Sequence, residues 1–292
     1  MKAFVIGNVA LDETLSIADF PQPGASIFGS TLSRDLGGKG ANQAIAMART
    51  GLACTFAAAV GRGARGEEVA RRLAAEPLDA RLIDLDGVDT DLSIILMAET
   101  GENAVITTRE AASALSPDMA RAALEGARPG DLLVMQGNLS AETTEAALRR
   151  ARALGLRTAL NPSPLQPYFG ALWPLVDMAF VNEGEAEALG GVEALLAQGV
   201  GDVVLTLGGR GAALIRSEGR SEVPSQPCTV VDTTGAGDCF MAVALASAML
   251  RGGRLDARAL RHAARAAAHT VARPGTVTAF PDVAEMAAIL AT

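Results

Sequence analysis

The chain has 292 residues, 49% of them apolar, and a formal net charge of −8; it is long enough for one large α/β domain or two modest ones around a substantial core. The acidic balance argues against a general nucleic-acid surface, and no apolar run is long and uninterrupted enough to span a membrane. Cys54, Cys228 and Cys239 are widely spaced, which fits a reducing cytoplasm better than a disulfide framework or a zinc site.

In chain order, residues 3–7 read as a first buried strand, without the apolar segment and cleavage site of a signal peptide. Residues 11–36, with Pro21 and Pro23, are rich in Thr, Ser, Ile and turn residues and predict strands outside the main sheet. Gly37-Gly38-Lys39-Gly40-Ala41-Asn42-Gln43 is a glycine turn opening a helix: Ala41, Ala44, Ile45 and Ala48 keep helical apolar spacing, and Gly51 stops it. The turn offers free N–H groups, the cation of Lys39 and the amide of Asn42, a set suited to a polyhydroxylated ligand.

A strand at 55–60 leads into Gly61-Arg62-Gly63-Ala64-Arg65-Gly66, which matches the dinucleotide-binding pattern, with Asp84 and Asp86 about 20 residues on. An NAD(P)-dependent oxidoreductase is therefore an alternative, although it leaves the other glycine motifs unexplained. Residues 91–108 again look like strands outside the main sheet. Further strands are predicted at 132–136, 158–161, 178–181 and 203–207, with helices at 67–75, 141–154 and 257–271. This alternation is that of a parallel sheet with helices on both faces. His262 and His269, on the last of these helices, are assigned structural or surface roles.

Near the C-terminus, an apolar extended run at 228–231 precedes Asp232-Thr233-Thr234-Gly235-Ala236-Gly237-Asp238, followed by an almost wholly apolar helix. The first turn of a helix has N–H groups without partners and partial positive charge. Gly235 and Gly237 let that backbone approach an anion. Asp238 would repel the anion unless it has a task, and the obvious one is to accept a proton from a hydroxyl attacking phosphate. An N-capping Asp in an ordinary glycine turn is the plainer reading of the same residues.

With GGKGAN and DTTGAGD nearly 200 residues apart, the chain resembles the ribokinase/PfkB family of carbohydrate kinases over its whole length. The resemblance implies a three-layer α/β sandwich forming a single domain over 1–292, with a central, mostly parallel sheet. A small β lid would be formed by about 11–36 and 91–108, a common dimerisation element in the family, so a homodimer through the lid is expected. The implied reaction is ATP-dependent phosphorylation of a sugar hydroxyl, with Mg²⁺ and a monovalent cation, K⁺. Asp238 would be the base, and Gly235, Ala236 and Gly237 the anion hole. Asp12, Gly38, Lys39, Asn42 and Asn138 would hold the sugar; the plainer reading of Asp12 is a loop carboxylate in water. Asn182 and Glu185, in an N-x-x-E motif, would order Mg²⁺ and phosphate through water, or simply cap a helix. Thr206, Gly208 and Gly211 would carry the nucleotide, or form a plain hairpin. Asp232, Thr234, Thr270, Arg273, Gly275 and Ala279 match the monovalent-cation positions.

The motifs look closest to ribokinase, which implies ribose as substrate. Two positions depart from that pattern: Ala10 stands where an Asn is typical, and Gly137-Asn138 where a Glu is. Another small sugar, a sugar acid or a nucleoside remains the alternative substrate.

Overall fold

The computed structural model describes residues 1–100 and 102–292. In chain order the strands are β1 (Ala3–Ile6), β2 (Ala10–Ile17), β3 (Gly29–Gly37), β4 (Cys54–Gly61), β5 (Asp79–Leu85), β6 (Asp91–Ala98), β7 (Asn103–Thr107), β8 (Leu132–Met135), β9 (Arg157–Leu160), β10 (Met178–Asn182), β11 (Asp202–Thr206), β12 (Ala212–Arg216) and β13 (Gly219–Val223). The α-helices are α1 (Lys39–Arg49), α2 (Ala64–Leu73), α3 (Glu110–Ala114), α4 (Pro117–Ala122), α5 (Ala141–Ala153), α6 (Glu183–Ala188), α7 (Val192–Ala197), α8 (Ala236–Leu250), α9 (Ala257–Val271) and α10 (Val283–Leu290).

Nine strands form one sheet in the order β13-β12-β11-β10-β9-β8-β1-β4-β5. It is parallel from β11 to β5 and ends in an antiparallel hairpin, β12–β13. Helices cover both faces, so the central strands are apolar without alternation. Successive residues still part company: Ala3 and Val5 join one core, Phe4 and Ile6 the other. The first core takes in α1, α8 and α9, and the second α4 and α5.

The remaining strands, β3-β2-β6-β7, form a separate four-stranded sheet. Its central pair, β2 and β6, is parallel and joins segments roughly 80 residues apart in the chain. Phe28, Leu32, Val105 and Ile106 leave apolar surface exposed there. Among the described residues no helix is long and apolar enough to cross a membrane. Residues 228–231, expected as an extended apolar run, join neither sheet and leave Val230 and Val231 exposed.

Candidate active site

In the large sheet the chain winds from β1 towards β5 on one side, and from β8 towards β11 on the other. The reversal lies between β1 and β8. Parallel α/β sheets open a crevice at such a switch point, beyond the carboxyl ends of the strands. Gly7-Asn8 and Gln136-Gly137-Asn138 leave β1 and β8 there. The start of α1 docks on the same place: Ala41 N–H donates to the Asn8 carbonyl (3.1 Å) and Gly40 N–H to Asn8 Oδ1 (3.3 Å). Gly38 makes the entry turn at φ +90°.

Helix α8 is apolar all round, as a helix buried on every side should be; residues 238–249 are all buried. Its first turn carries Asp238, 5% exposed. Asp238 Oδ2 accepts from Asn42 Nδ2 (3.0 Å) and Oδ1 from Gln43 Nε2 (2.9 Å). Gln43 Oε1 in turn accepts from Gln136 Nε2 (2.8 Å). Asp12 is not a solvated loop carboxylate: it lies within β2 and is 9% exposed. Burial pushes its carboxyl up to about 6; a hydrogen bond from Ser93 opposes the rise, and the charges of Asp35 and Asp238 add to it.

Four buried oxygens in this neighbourhood lack a donor: Asp12 Oδ1, Asn42 Oδ1, Gln136 Oε1 and Asn138 Oδ1. A buried polar atom without a partner costs about 1–3 kcal/mol. All four are acceptors, so the matching ligand is one rich in O–H donors. Lys39 is half-buried at the same turn and forms no ion pair among the described residues.

The first turn of α8 also borders a cavity of about 730 Å³, to which it contributes Ala236, Gly237 and Phe240. Ala264, Ala267 and Ala268 of α9 form another wall, so the small residues of this helix make space for a ligand. Gly235 caps α8 at φ +74°, where a side chain would be strained, and an added Cβ would come within 2.9 Å of Phe280 and Thr276. Thr206, Gly208 and Gly211 line the cavity too. They belong to the tight connection between antiparallel β11 and β12, so the hairpin and ligand-facing readings describe one element. Asn182 and Glu185 form a reciprocal cap on α6: Glu185 N–H donates to Asn182 Oδ1 (2.8 Å) and Asn182 N–H to Glu185 Oε2 (3.0 Å). Asn182 Nδ2 and Glu185 Oε1 are left over from that cap, and Asn182 faces the cavity. Glu183, also on the wall, pairs with Arg210.

The proposed cation positions separate into groups. Asp232 accepts from Thr234 N–H (2.9 Å) and Gly275 N–H (3.1 Å), which draws those three together. Thr270 and Ala279 are fully buried, with the Thr270 hydroxyl donating to the Ala266 carbonyl (3.0 Å). The Arg273 side chain pairs with Glu285 (2.8 Å). No cluster of three or more His, Cys, Asp or Glu able to hold a metal occurs among the described residues. His262 is buried against Ser247 (2.8 Å), and His269 pairs with Glu285 (3.0 Å).

The 61–66 turn does not offer a dinucleotide site. Gly61 is braced by the Thr90 hydroxyl (3.0 Å), and the adjoining cavity is about 180 Å³, below the usual range for organic ligands of roughly 300–1,000 Å³.

The model of the pfkB family carbohydrate kinases matches residues 4–283. The chain belongs to this family. Ribokinase of Haemophilus influenzae is 31% identical over 291 residues, covering 95% of this chain and 94% of that protein. The crystal structure of Thermotoga maritima ribokinase has a TM-score of 0.89 at 25% identity, with both chains fully covered. Ribokinase of Cryptococcus neoformans, solved in complex with ADP, has a TM-score of 0.81 at 26% identity over 98% of each chain. The expected α/β architecture and carbohydrate-kinase family are thus both found, and the oxidoreductase alternative falls.

The sequence reading passed over Gln43, Gln136, Asn8 and Asp35. Gln43 and Gln136 carried one signal, a polar residue inside an otherwise apolar helix start or strand end, which a buried site must pair.

Proposed function

We propose that this pfkB-family carbohydrate kinase transfers the γ-phosphoryl group of ATP to a sugar hydroxyl, with D-ribose, giving ribose 5-phosphate, as the first substrate to test. The observation that carries the reading is the set of four donorless acceptor oxygens at the crevice, with Asn42 bonded to Asp238, whose helix α8 also borders the 730 Å³ cavity. Hydroxyls of a sugar supply the missing donors to Asp12, Asn42 and Asn138, with Gly38 and Lys39 closing the turn. Asp238 accepts the proton of the attacking hydroxyl. The N–H groups of Gly235, Ala236 and Gly237 face charge on the transferring group, and Lys39 adds a cation.

Thr206, Gly208 and Gly211 shape the nucleotide side. Mg²⁺, when bound, would neutralise phosphate charge; a hard ion that keeps most of its waters suits the spare Glu185 Oε1, which can accept from such a water, better than a ligand cage, which is absent among the described residues, while the spare Asn182 Nδ2 can donate to a phosphate oxygen. K⁺ would lie at the loop held by Asp232, with Thr234, Thr270, Arg273, Gly275 and Ala279. The four-stranded sheet serves as a lid, and its exposed Phe28, Leu32, Val105 and Ile106 support a homodimer through it. The cysteine usage supports a cytoplasmic setting.

One observation favours a second substrate. Ala10 is fully buried and Asn138 is neutral where ribokinases typically offer Asn and Glu, so another small sugar is the alternative. The experiment is a screen of pentoses, hexoses, ketoses and nucleosides for ADP release from MgATP. Brisk ribose turnover supports the first reading. Turnover confined to another sugar replaces the substrate and keeps the kinase; none with any acceptor rejects both.

A further inference from the structure

Asn42 and Gln43 are neighbours on α1, yet they grip Asp238 in different ways. Asn42 keeps its carbonyl oxygen free beside the sugar crevice. Gln43 is fully buried and spends both ends of its amide inside the protein, Nε2 on Asp238 Oδ1 and Oε1 on Gln136 Nε2. Gln136 is 1% exposed. It reaches Gln43 over a backbone that has no side chain, since a Cβ on Gly7 would overlap Gln136 Oε1.

The three side chains make a directional chain. An ionised carboxylate only accepts, so Gln43 has to turn its NH₂ towards Asp238 and its oxygen away. The NH₂ of Gln136 then meets that oxygen. If Gln43 rotated by half a turn, acceptor would face acceptor at Asp238 and donor would face donor at Gln136. Each contact therefore guards the other against the flip, and both amides are buried.

We infer that Gln43, held by Gln136, is a positioning residue that anchors Oδ1 of Asp238 on the side away from the crevice, so that Oδ2, which also accepts from Asn42 Nδ2 (3.0 Å), takes the sugar proton on its remaining lone pair. This rests on Asp238 being the base. In the transfer, the sugar O–H bond breaks as its proton passes to Oδ2, the new O–P bond forms, and the β–γ bridging P–O bond of ATP breaks to release ADP. A carboxylate held at both oxygens presents the free lone pair of Oδ2 in one orientation, and orientation errors of the order of an ångström cost about 10²-fold in rate.

The test uses Gln43→Met, Gln43→Glu, Gln136→Met and Asp238→Asn, assayed with D-ribose and MgATP and checked for ADP affinity by calorimetry. Gln43→Met should lower kcat about tenfold or more while KM for ATP stays within about twofold. Gln136→Met, which only removes the guard, should lower kcat roughly threefold, the scale of one neutral hydrogen bond. Gln43→Glu sets a second acceptor-only group against Oδ1 and should move the acid limb of the kcat profile up by about one pH unit or more. A ¹³C titration of the Asp238 carboxyl, which needs no sugar, should show the same upward movement. Unmoved titration and kcat within about twofold of native in both methionine variants, beside an inactive Asp238→Asn, overturn the positioning role and leave the base in place. An active Asp238→Asn overturns the base itself. Should Gln43→Glu not fold, the methionine variants decide by kcat and by the same titration.

Discussion

Replacing Asp12 by Asn is expected to stabilise the ligand-free protein, and to do so more at high pH than at low. Burial holds the Asp12 carboxyl at about 6 against an ordinary 3.8. A carboxyl raised on folding binds its proton more tightly in the native state. Its favourable contribution is complete below pH 3.8 and is lost as pH rises through about 6, beyond which the ionised group is a burden. About two units correspond to about 3 kcal/mol, an order-of-magnitude figure for a side chain this well buried. At pH 5 the unfolded chain is already ionised and the folded one is not, so roughly half of that difference lies between pH 5 and pH 8. A protein of 292 residues has a melting entropy of about 0.6 kcal/mol/K, so the whole effect is about 5 °C in Tm and the pH 5 to 8 part about 2–3 °C. Calorimetric melts of Asp12→Asn and native protein at pH 5, 6, 7 and 8 measure it. A Tm difference that stays flat across the series, or one that favours the native chain increasingly at pH 8, refutes the assignment of a strained, buried carboxylate.

Other outcomes follow from the same geometry. Asp238→Asn should retain ADP binding and lose kcat by about 10² or more; near-native turnover would remove Asp238 from the base role. Gly235→Ala forces a side chain into positive φ and towards Phe280 and Thr276, so it should cost about 1–3 kcal/mol in urea melts and raise KM for ATP, and an unchanged midpoint would contradict the strain. Asn138→Glu should raise kcat/KM for ribose roughly tenfold if the pocket is a ribose pocket lacking one charged partner. Loss of turnover on ribose in that variant would point to a site shaped for another sugar.

The large sheet was legible because burial on both faces leaves β1 wholly apolar and β4 apolar but for Thr55 near its start. What escaped was at its margins. In β5, Asp79-Ala80-Arg81-Leu82-Ile83-Asp84-Leu85 mixes charge with apolar residues because an edge strand is covered on one side less. The β12–β13 hairpin closes the other edge in the same manner. Helices α3, α4, α6 and α7 have five or six residues each, too few for a helical period to show. In the site, the glycine motifs pointed to Asp238 and Asn42 through turn chemistry that is local. Gln43 and Gln136 lie 93 residues apart, and no local rule joins them. Asn182 and Glu185 present the opposite difficulty, since one spacing serves both a helix cap and an outer-sphere metal contact.

The small sheet and the start of α8 are parts of one connected structure. Asp35 on β3 is 7% exposed, and its Oδ2 accepts from Thr278 N–H (3.1 Å) and the Thr278 hydroxyl (2.8 Å). The same loop supplies Thr276 and Phe280, the side chains that crowd Gly235. On β6, Asp91 accepts from Ala111 and Ala112 N–H (3.1 and 3.0 Å), tying the sheet to α3. Both anchors are buried carboxylates with several donors, and breaking either leaves an unpaired buried charge, which costs far more than a surface contact. They sit near the ends of β2 and β6 that adjoin Asp12 and the crevice, whereas Phe28, fully exposed, sits beyond the far end. The small sheet is therefore tied to the rest of the chain at Asp35 and Asp91, and Phe28 lies at the end away from these anchors. Asp12 lies opposite Asp35 across β2 and β3, beside one of these anchors, so the contact with Thr278 also fixes the strand that carries the buried Asp12 carboxyl.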